Sequence, residues 1–185
     1  YTVPDFQNPT GVTMSLTRRK KLIQLANAHD VIVLEDTPYR QIRFTDENLP
    51  TLKSMDTEGR VIHLGSFSKV LVPALRVGWA VADPELLERM GLLKVAADTQ
   101  TSNLNMAAIS LFLDRYDLAE HTNILRSAYV KKKEVMLDSI RLHFPQEVQA
   151  TDPKGGLFTW VTFPKEFDAA AFMRDVALPE ARVAY

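Results

Sequence analysis

Three short apolar runs punctuate the chain, each followed by a turn or a polar cluster: Val31-Ile32-Val33-Leu34, Val61-Ile62-His63-Leu64 and Gly78-Trp79-Ala80-Val81-Ala82. The first two are nearly unbroken and rich in β-branched residues, the pattern of strands covered on both faces in a parallel sheet. Around them apolar positions recur at helical spacing. Ser15 caps a helix to about His29, with Leu22, Ile23, Leu25 and Ala26 on its inner side, leading directly into the Val31 strand. Asp83-Pro84-Glu85 supplies a cap, a first-turn proline and a first-turn acid for a helix to about Asp98. A further helix runs from Asn103 to about Arg115, with Leu104, Ala107, Ala108 and Leu111 on one face. The link from Leu64 to Val77 has no helical period. A parallel crossover ordinarily needs a helix, so the Gly78 strand is expected to run antiparallel to its neighbour.

Asp117 opens a longer pattern, to about His143, with Leu118, Leu125, Tyr129, Lys132, Met136 and Ile140 at helical spacing. Roughly 27 residues at ~1.5 Å each give about 40 Å, enough to bridge two domains. Lys131-Lys132-Lys133 on this helix reads as a solvated face with the aliphatic stems packed down. After Pro145 the pattern predicts a short strand, a turn at Pro153-Lys154-Gly155-Gly156, a strand from Leu157 to Phe163 and a helix from Asp168 to about Ala177. The fold expected is α/β: a mostly parallel sheet flanked by helices over residues 1–116, a connecting helix over 117–144 and the start of a smaller α/β domain over 145–185. Tyr1-Thr2-Val3 reads as the end of one strand and Val183-Ala184-Tyr185 as the start of another, so the chain is expected to be a fragment.

Composition excludes more than it selects. The 185 residues are 46% hydrophobic and 24% charged, ordinary for a globular chain, and a net charge of −1 leaves no footprint for nucleic acid or an anionic membrane surface. There is no cysteine, so thiolate catalysis and disulfides are excluded. His29, His63, His121 and His143 lack metal-ligand spacing and are read as structural or exposed. No run of apolar residues reaches membrane-spanning length and no secretory leader is present, so a cytoplasmic protein is expected.

The candidate chemistry lies in the turns after the strands. Asp36 sits at the carboxyl end of the Val31 strand, where open α/β sheets place their ligands. After the Val61 strand comes Gly65-Ser66-Phe67-Ser68-Lys69-Val70-Leu71-Val72-Pro73-Ala74-Leu75-Arg76. A lysine taken alone is a surface residue. Between a buried strand and an uncharged apolar run, Lys69 is instead expected to be enclosed, which disfavours the ammonium and leaves a nucleophilic amine. Arg76 offers a planar fork of donors suited to a phosphate, and the hydroxyls of Ser66 and Ser68 add neutral donors. A lysine for an aldehyde, a carboxylate for a pyridinium nitrogen and donors for a phosphate are what pyridoxal 5'-phosphate needs.

With Asn8 in Gln-Asn-Pro-Thr-Gly and Tyr39 in Glu-Asp-Thr-Pro-Tyr, the order and spacing resemble the class I/II aminotransferases of the type I pyridoxal-phosphate fold. They are most like the aminoadipate/kynurenine-type branch and its aminotransferase-like regulators, over nearly the whole chain. The resemblance implies that residues 1–116 are part of the large cofactor domain and that Lys69 forms the Schiff base. It assigns the pyridine nitrogen to Asp36 and not Glu35, the ring oxygen to Asn8 and Tyr39, and the phosphate to Ser66, Ser68 and Arg76. Ala74 departs from the glycine that relatives often carry after the proline. The implied activity is amino transfer between an amino acid and a 2-oxo acid by a homodimer with sites at the dimer interface. The alternatives are a ligand-sensing domain of a winged-helix transcription regulator, or a lyase or decarboxylase on the same cofactor. The resemblance also implies that a phosphate-binding turn and a ring-stacking aromatic precede Tyr1, and that the arginine for the substrate carboxylate follows Tyr185.

Overall fold

The computed structural model describes residues 1–182, so the strand expected from Val183 lies outside the described residues. The central sheet has strand order β1 (Val33–Asp36), β2 (Val61–Ser66), β3 (Gly78–Val81). β1 and β2 are parallel, with Asp36 opposite Leu64. β2 and β3 are antiparallel, with Ser66 opposite Gly78, the direction the missing helical period led us to expect. On the other edge of β1, Thr2 bridges in parallel to Glu35: its N–H donates to the Leu34 carbonyl and its carbonyl accepts from the Asp36 N–H, each at 2.9 Å.

Helix α1 (Leu16–His29) starts where Ser15 accepts from the Arg18 N–H and ends on Asp30, whose φ of 54° is left-handed. The Val31 N–H still donates to the Ala26 carbonyl, so Val31 and Ile32 belong to the helix exit, remain exposed, and delay the strand by two residues. Ile23 and Ala26 of α1 pack against Val33, Leu52 and Val61 to form a core, while Leu25 of the expected inner face is exposed. Only the face of β1 that carries Val33 and Glu35 is closed. Leu34 and Asp36 are half-buried, so the apolar run overstated how fully this chain covers the strand.

Helices α2 (Pro84–Asp98), α3 (Asn103–Arg115) and α4 (Leu118–His143) are capped by Asp83, Ser102 and Asp117. The 26 residues of α4 span about 39 Å. Their buried faces differ from the periodic reading. Leu104 is 78% exposed and Leu111 is also exposed, while Ile109 is the buried residue of α3. On α4, Met136 is exposed while Leu137 and Ile140 are buried. Periodicity identifies which side chains need cover; whether a neighbour supplies it is a matter of tertiary packing.

After Pro145, β4 (Gln149–Ala150) pairs antiparallel with β5 (Val161–Thr162), and most of the strand expected from Leu157 is irregular. Asp168 caps α5 (Ala169–Phe172), which widens into a π-helical stretch over Met173–Ala181, beyond the expected end at Ala177. This stretch contains Pro179, which has no N–H for the helix ladder. Among the described residues no helix is long and apolar enough to cross a membrane.

Candidate active site

The carboxyl ends of β1 and β2 define the site. Because the strands are parallel and in register, Asp36 and Ser66 emerge from the same edge of the sheet, with the Thr37 N–H bonded to the Leu64 carbonyl at 3.0 Å. Successive side chains of β1 point to opposite faces. That alternation separates the two adjacent acids. Glu35 is fully buried on the core face, where it accepts from the N–H groups of Leu52 (2.6 Å) and Lys53 (3.0 Å) and lies 3.0 Å from His63 Nδ1. Burial pushes its carboxyl up, but His63 and the two N–H donors outweigh burial and hold it below the usual carboxylate range. Asp36, on the other face, opens into a cavity of about 290 Å³ shared with Tyr1, Asn8, Pro38 and Tyr39.

Asn8 is carried by a loop that closes on itself. Gln7 Oε1 accepts from the Thr10 N–H (3.1 Å) and hydroxyl (2.5 Å), and the Gly11 N–H donates to the Gln7 carbonyl at 2.6 Å. Gly11 has φ +69°, and a Cβ there would lie 2.8 Å from the Phe158 carbonyl, so the turn requires glycine. Asn8 Nδ2 points at the Tyr39 hydroxyl from 3.5 Å. Tyr39 is buried and stands edge-on to Phe158, ring centroids 5.3 Å apart. Residues 154–156 are pinned beside it by Phe44 N–H to Lys154 carbonyl (2.8 Å) and Gly156 N–H to Ile42 carbonyl (2.7 Å).

One buried carboxylate fastens these pieces together. Asp5 bonds Arg19 (2.9 Å), Arg40 (2.9 Å) and Arg43 (3.1 Å), joining the Asn8 loop to α1 and to the segment after Tyr39. Arg19 also donates to the carbonyls of Pro4, Met14 and Pro50. Burial pushes the Asp5 carboxyl up, but the guanidiniums outweigh burial and hold it below its usual range. Arg43 moves down, through burial and the nearness of the other two cations, against the pull of Asp5. Both values fall, the carboxylate's because three cations surround it and the Arg43 guanidinium's chiefly because it is buried, and a guanidinium stays charged even so. Replacing Asp5 by asparagine should cost about 3–5 kcal/mol of stability in urea titrations at neutral pH, because it strands buried cations. A depressed carboxylate stabilises the fold fully above its unfolded value of about 3.9, and the contribution is lost as pH falls through the folded value. The gap between wild type and Asp5→Asn should therefore close in acid, and a gap independent of pH would assign the loss to packing.

The segment after β2 turns tightly. A Cβ on Gly65 would lie 2.2 Å from the Trp79 ring, which packs against Phe67 at 4.9 Å, so this close approach needs glycine. Ser66 Oγ accepts from the Ser68 N–H at 3.1 Å. Arg76 follows a short 3-10 turn (Pro73–Leu75) with φ 53°, left-handed and uncommon for a side chain of its size, and donates to the Pro73 carbonyl at 3.2 Å. Lys69 is exposed, not enclosed: Val70 is the residue that turns into the core. The apolar run around Lys69 therefore marks one buried neighbour, not a covered amine.

Asn8, Asp36 and Tyr39 thus line one cavity, whereas Ser66 lines a neighbouring one of about 200 Å³ with Thr37, His63, Val70 and Trp79. Pro38 borders both. Lys69, Ser68 and Arg76 lie on the same turn as Ser66 but line neither cavity. Sequence reading missed Tyr1, whose hydroxyl donates to Asp36 Oδ2 at 2.5 Å. Recognising that Tyr1-Thr2-Val3 pairs with β1 was the signal that could have found it: Thr2 and Glu35 share one face, which leaves Tyr1 and Asp36 on the other.

Comparison with known proteins identifies the family of this fold. The model of aminotransferase class I and II matches residues 3–184. An aromatic-amino-acid aminotransferase of Thermococcus litoralis is 38% identical over 91% of this chain and 40% of its own length. The structure of LysN, the α-aminoadipate aminotransferase of Thermus thermophilus complexed with N-(5'-phosphopyridoxyl)-L-leucine, superposes with a TM-score of 0.89 at 40% identity, covering 94% of this chain and 45% of that one. An HTH-type transcriptional regulator of Bacillus subtilis is 31% identical over 95% of this chain and 36% of its own length. The chain belongs to the class I and II aminotransferase family and has its α/β fold. It spans less than half the length of these relatives.

Proposed function

We propose that the complete polypeptide carrying this chain transfers an amino group between an amino acid and a 2-oxo acid, with pyridoxal 5'-phosphate as cofactor. The observation that carries this reading is the set of donors and acceptors at one sheet edge: Asn8, Asp36 and Tyr39 around a cavity, with Ser66, Ser68 and Lys69 on the turn after the adjoining parallel strand. The cavity, about 290 Å³, falls just below ligand-site volumes of roughly 300–1,000 Å³. These residues fit the cofactor, with a carboxylate for its ring nitrogen, a phenol and an amide for its ring oxygen, and hydroxyls and a guanidinium for its phosphate.

Bound there, the cofactor supplies an aldehyde for an amine and a ring that accepts electrons. Asp36 holds the proton on the ring nitrogen. Ser66, Ser68 and Arg76 hold the phosphate, and Asn8 and Tyr39 orient the ring through its oxygen. Lys69 Nζ would anchor the cofactor through its aldehyde and, once freed by the substrate amine, would act as the base for the substrate α-proton. Exposed Leu92, Leu93, Val95 and Leu104 on α2 and α3 support assembly with further polypeptide or a second copy, and we propose a cytoplasmic homodimer.

The regulator relative supports a second reading, a cofactor-bearing sensor domain joined to a helix-turn-helix. Loaded complete protein should transfer amino groups to 2-oxoglutarate from at least one of aromatic, aliphatic and dicarboxylic donors, whereas residues 1–185 alone should bind cofactor weakly and turn over at least a thousandfold more slowly, lacking the substrate-carboxylate arginine. Cofactor binding without turnover on any donor, with a helix-turn-helix upstream of Tyr1, would overturn the enzyme in favour of the regulator.

A further inference from the structure

The Tyr1 hydroxyl reaches the candidate cofactor cavity from the edge of the sheet and meets Asp36 Oδ2 at 2.5 Å, the short end of charge-assisted O–H···O⁻ bonds. Among the described residues no other group donates to the Asp36 side chain. The pairing of Thr2 with Glu35 fixes this contact: Tyr1 and Asp36 are diagonal neighbours on one face, a separation that an aromatic side chain can span. The Asp36 N–H bond to the Thr2 carbonyl holds the two backbones at the same place.

We propose that Tyr1 is a positioning residue that fixes the Asp36 carboxylate through Oδ2 and leaves Oδ1 to hold the protonated ring nitrogen of the cofactor. The inference rests on the reading of the cavity as a pyridoxal-phosphate site. A carboxylate with one oxygen tethered cannot rotate freely. The contact also acts on the phenol: the hydrogen bond to Asp36 first, then burial and the carboxylate's charge, push Tyr1 up to about 12.

The test uses the complete protein with Tyr1→Phe, Asp36→Asn and the double variant. In cofactor-free protein with ring-labelled tyrosine, the resonance of Tyr1 should show little ionisation at about pH 10.5, where a free phenol is mostly ionised, and Asp36→Asn should restore ordinary titration. In loaded protein, Tyr1→Phe should raise the pH midpoint of the visible absorbance change, because a loosely held Asp36 favours the positive ring nitrogen less. It should lower kcat about tenfold, the effect of one charge-assisted hydrogen bond, with KM for the amino acid nearly unchanged. In the Asp36→Asn background, Tyr1→Phe should add nothing to either effect. Ordinary titration of Tyr1 in the wild type, an unmoved midpoint in Tyr1→Phe, or additive effects in the double variant would each overturn the proposal. If Asp36→Asn also leaves the midpoint unmoved, or the protein takes up no cofactor, it is the reading of the site that fails.

Discussion

Replacing Lys69 with alanine should eliminate covalent attachment of pyridoxal phosphate to the complete protein and slow amino transfer by about 10⁴-fold or more. On the proposed reading one side chain serves as both nucleophile and proton carrier, and removing a group that acts in every step collapses the rate to what binding alone provides. Lys69→Arg should be no better, because a guanidinium keeps the charge but has no free amine to offer. Borohydride reduction of loaded wild type, followed by digestion, should place the pyridoxyl group on the peptide containing Lys69. Label on another lysine, or labelling that survives Lys69→Ala, would remove Lys69 from this role. Its exposure in this chain sharpens the expectation. The amine becomes a good nucleophile only when the ammonium is disfavoured, so the proposed role requires cover that the described residues do not supply.

Asp36→Asn should leave cofactor binding largely intact but slow removal of the substrate α-proton by about a thousandfold or more. On the proposed reading, attachment through Lys69 and the phosphate contacts of Ser66, Ser68 and Arg76 do not depend on this carboxylate. Electron withdrawal by a protonated ring does, since a neutral amide no longer favours the charge on the ring nitrogen. Single-turnover rates with an α-deuterated amino acid isolate the step. A near-normal rate in Asp36→Asn would show that another group protonates the ring. Glu35 is no candidate: it is fully buried and accepts two backbone N–H bonds beside His63.

Much of the element pattern was legible from short-range rules. Caps at Ser15, Asp83 and Asp117 and the apolar periods between them place α1, α2 and α4 where they are found. The absence of a period between Leu64 and Val77, together with the resembled fold, pointed to the antiparallel direction found for β3. Failures came where a local pattern depends on distant cover. Leu104 and Leu111 of α3 sit at helical spacing yet face solvent, and the apolar neighbours of Lys69 do not enclose it.

By itself the sequence determined which chemical groups stand at the ends of which elements, because helix caps, strand ends and turns are set by interactions within three or four residues. Tertiary structure alone decided how those groups are used. Strand alternation and register turned Glu35 into the core and Asp36 into a cavity, and strand pairing brought Tyr1 to Asp36 across 35 positions of sequence. Packing gathered Arg19, Arg40 and Arg43 onto Asp5 from as far as 38 positions away. Such contacts join residues whose separation along the chain carries no information about their separation in space, and burial, which sets the charge and reactivity of each group, is a property of everything packed around it.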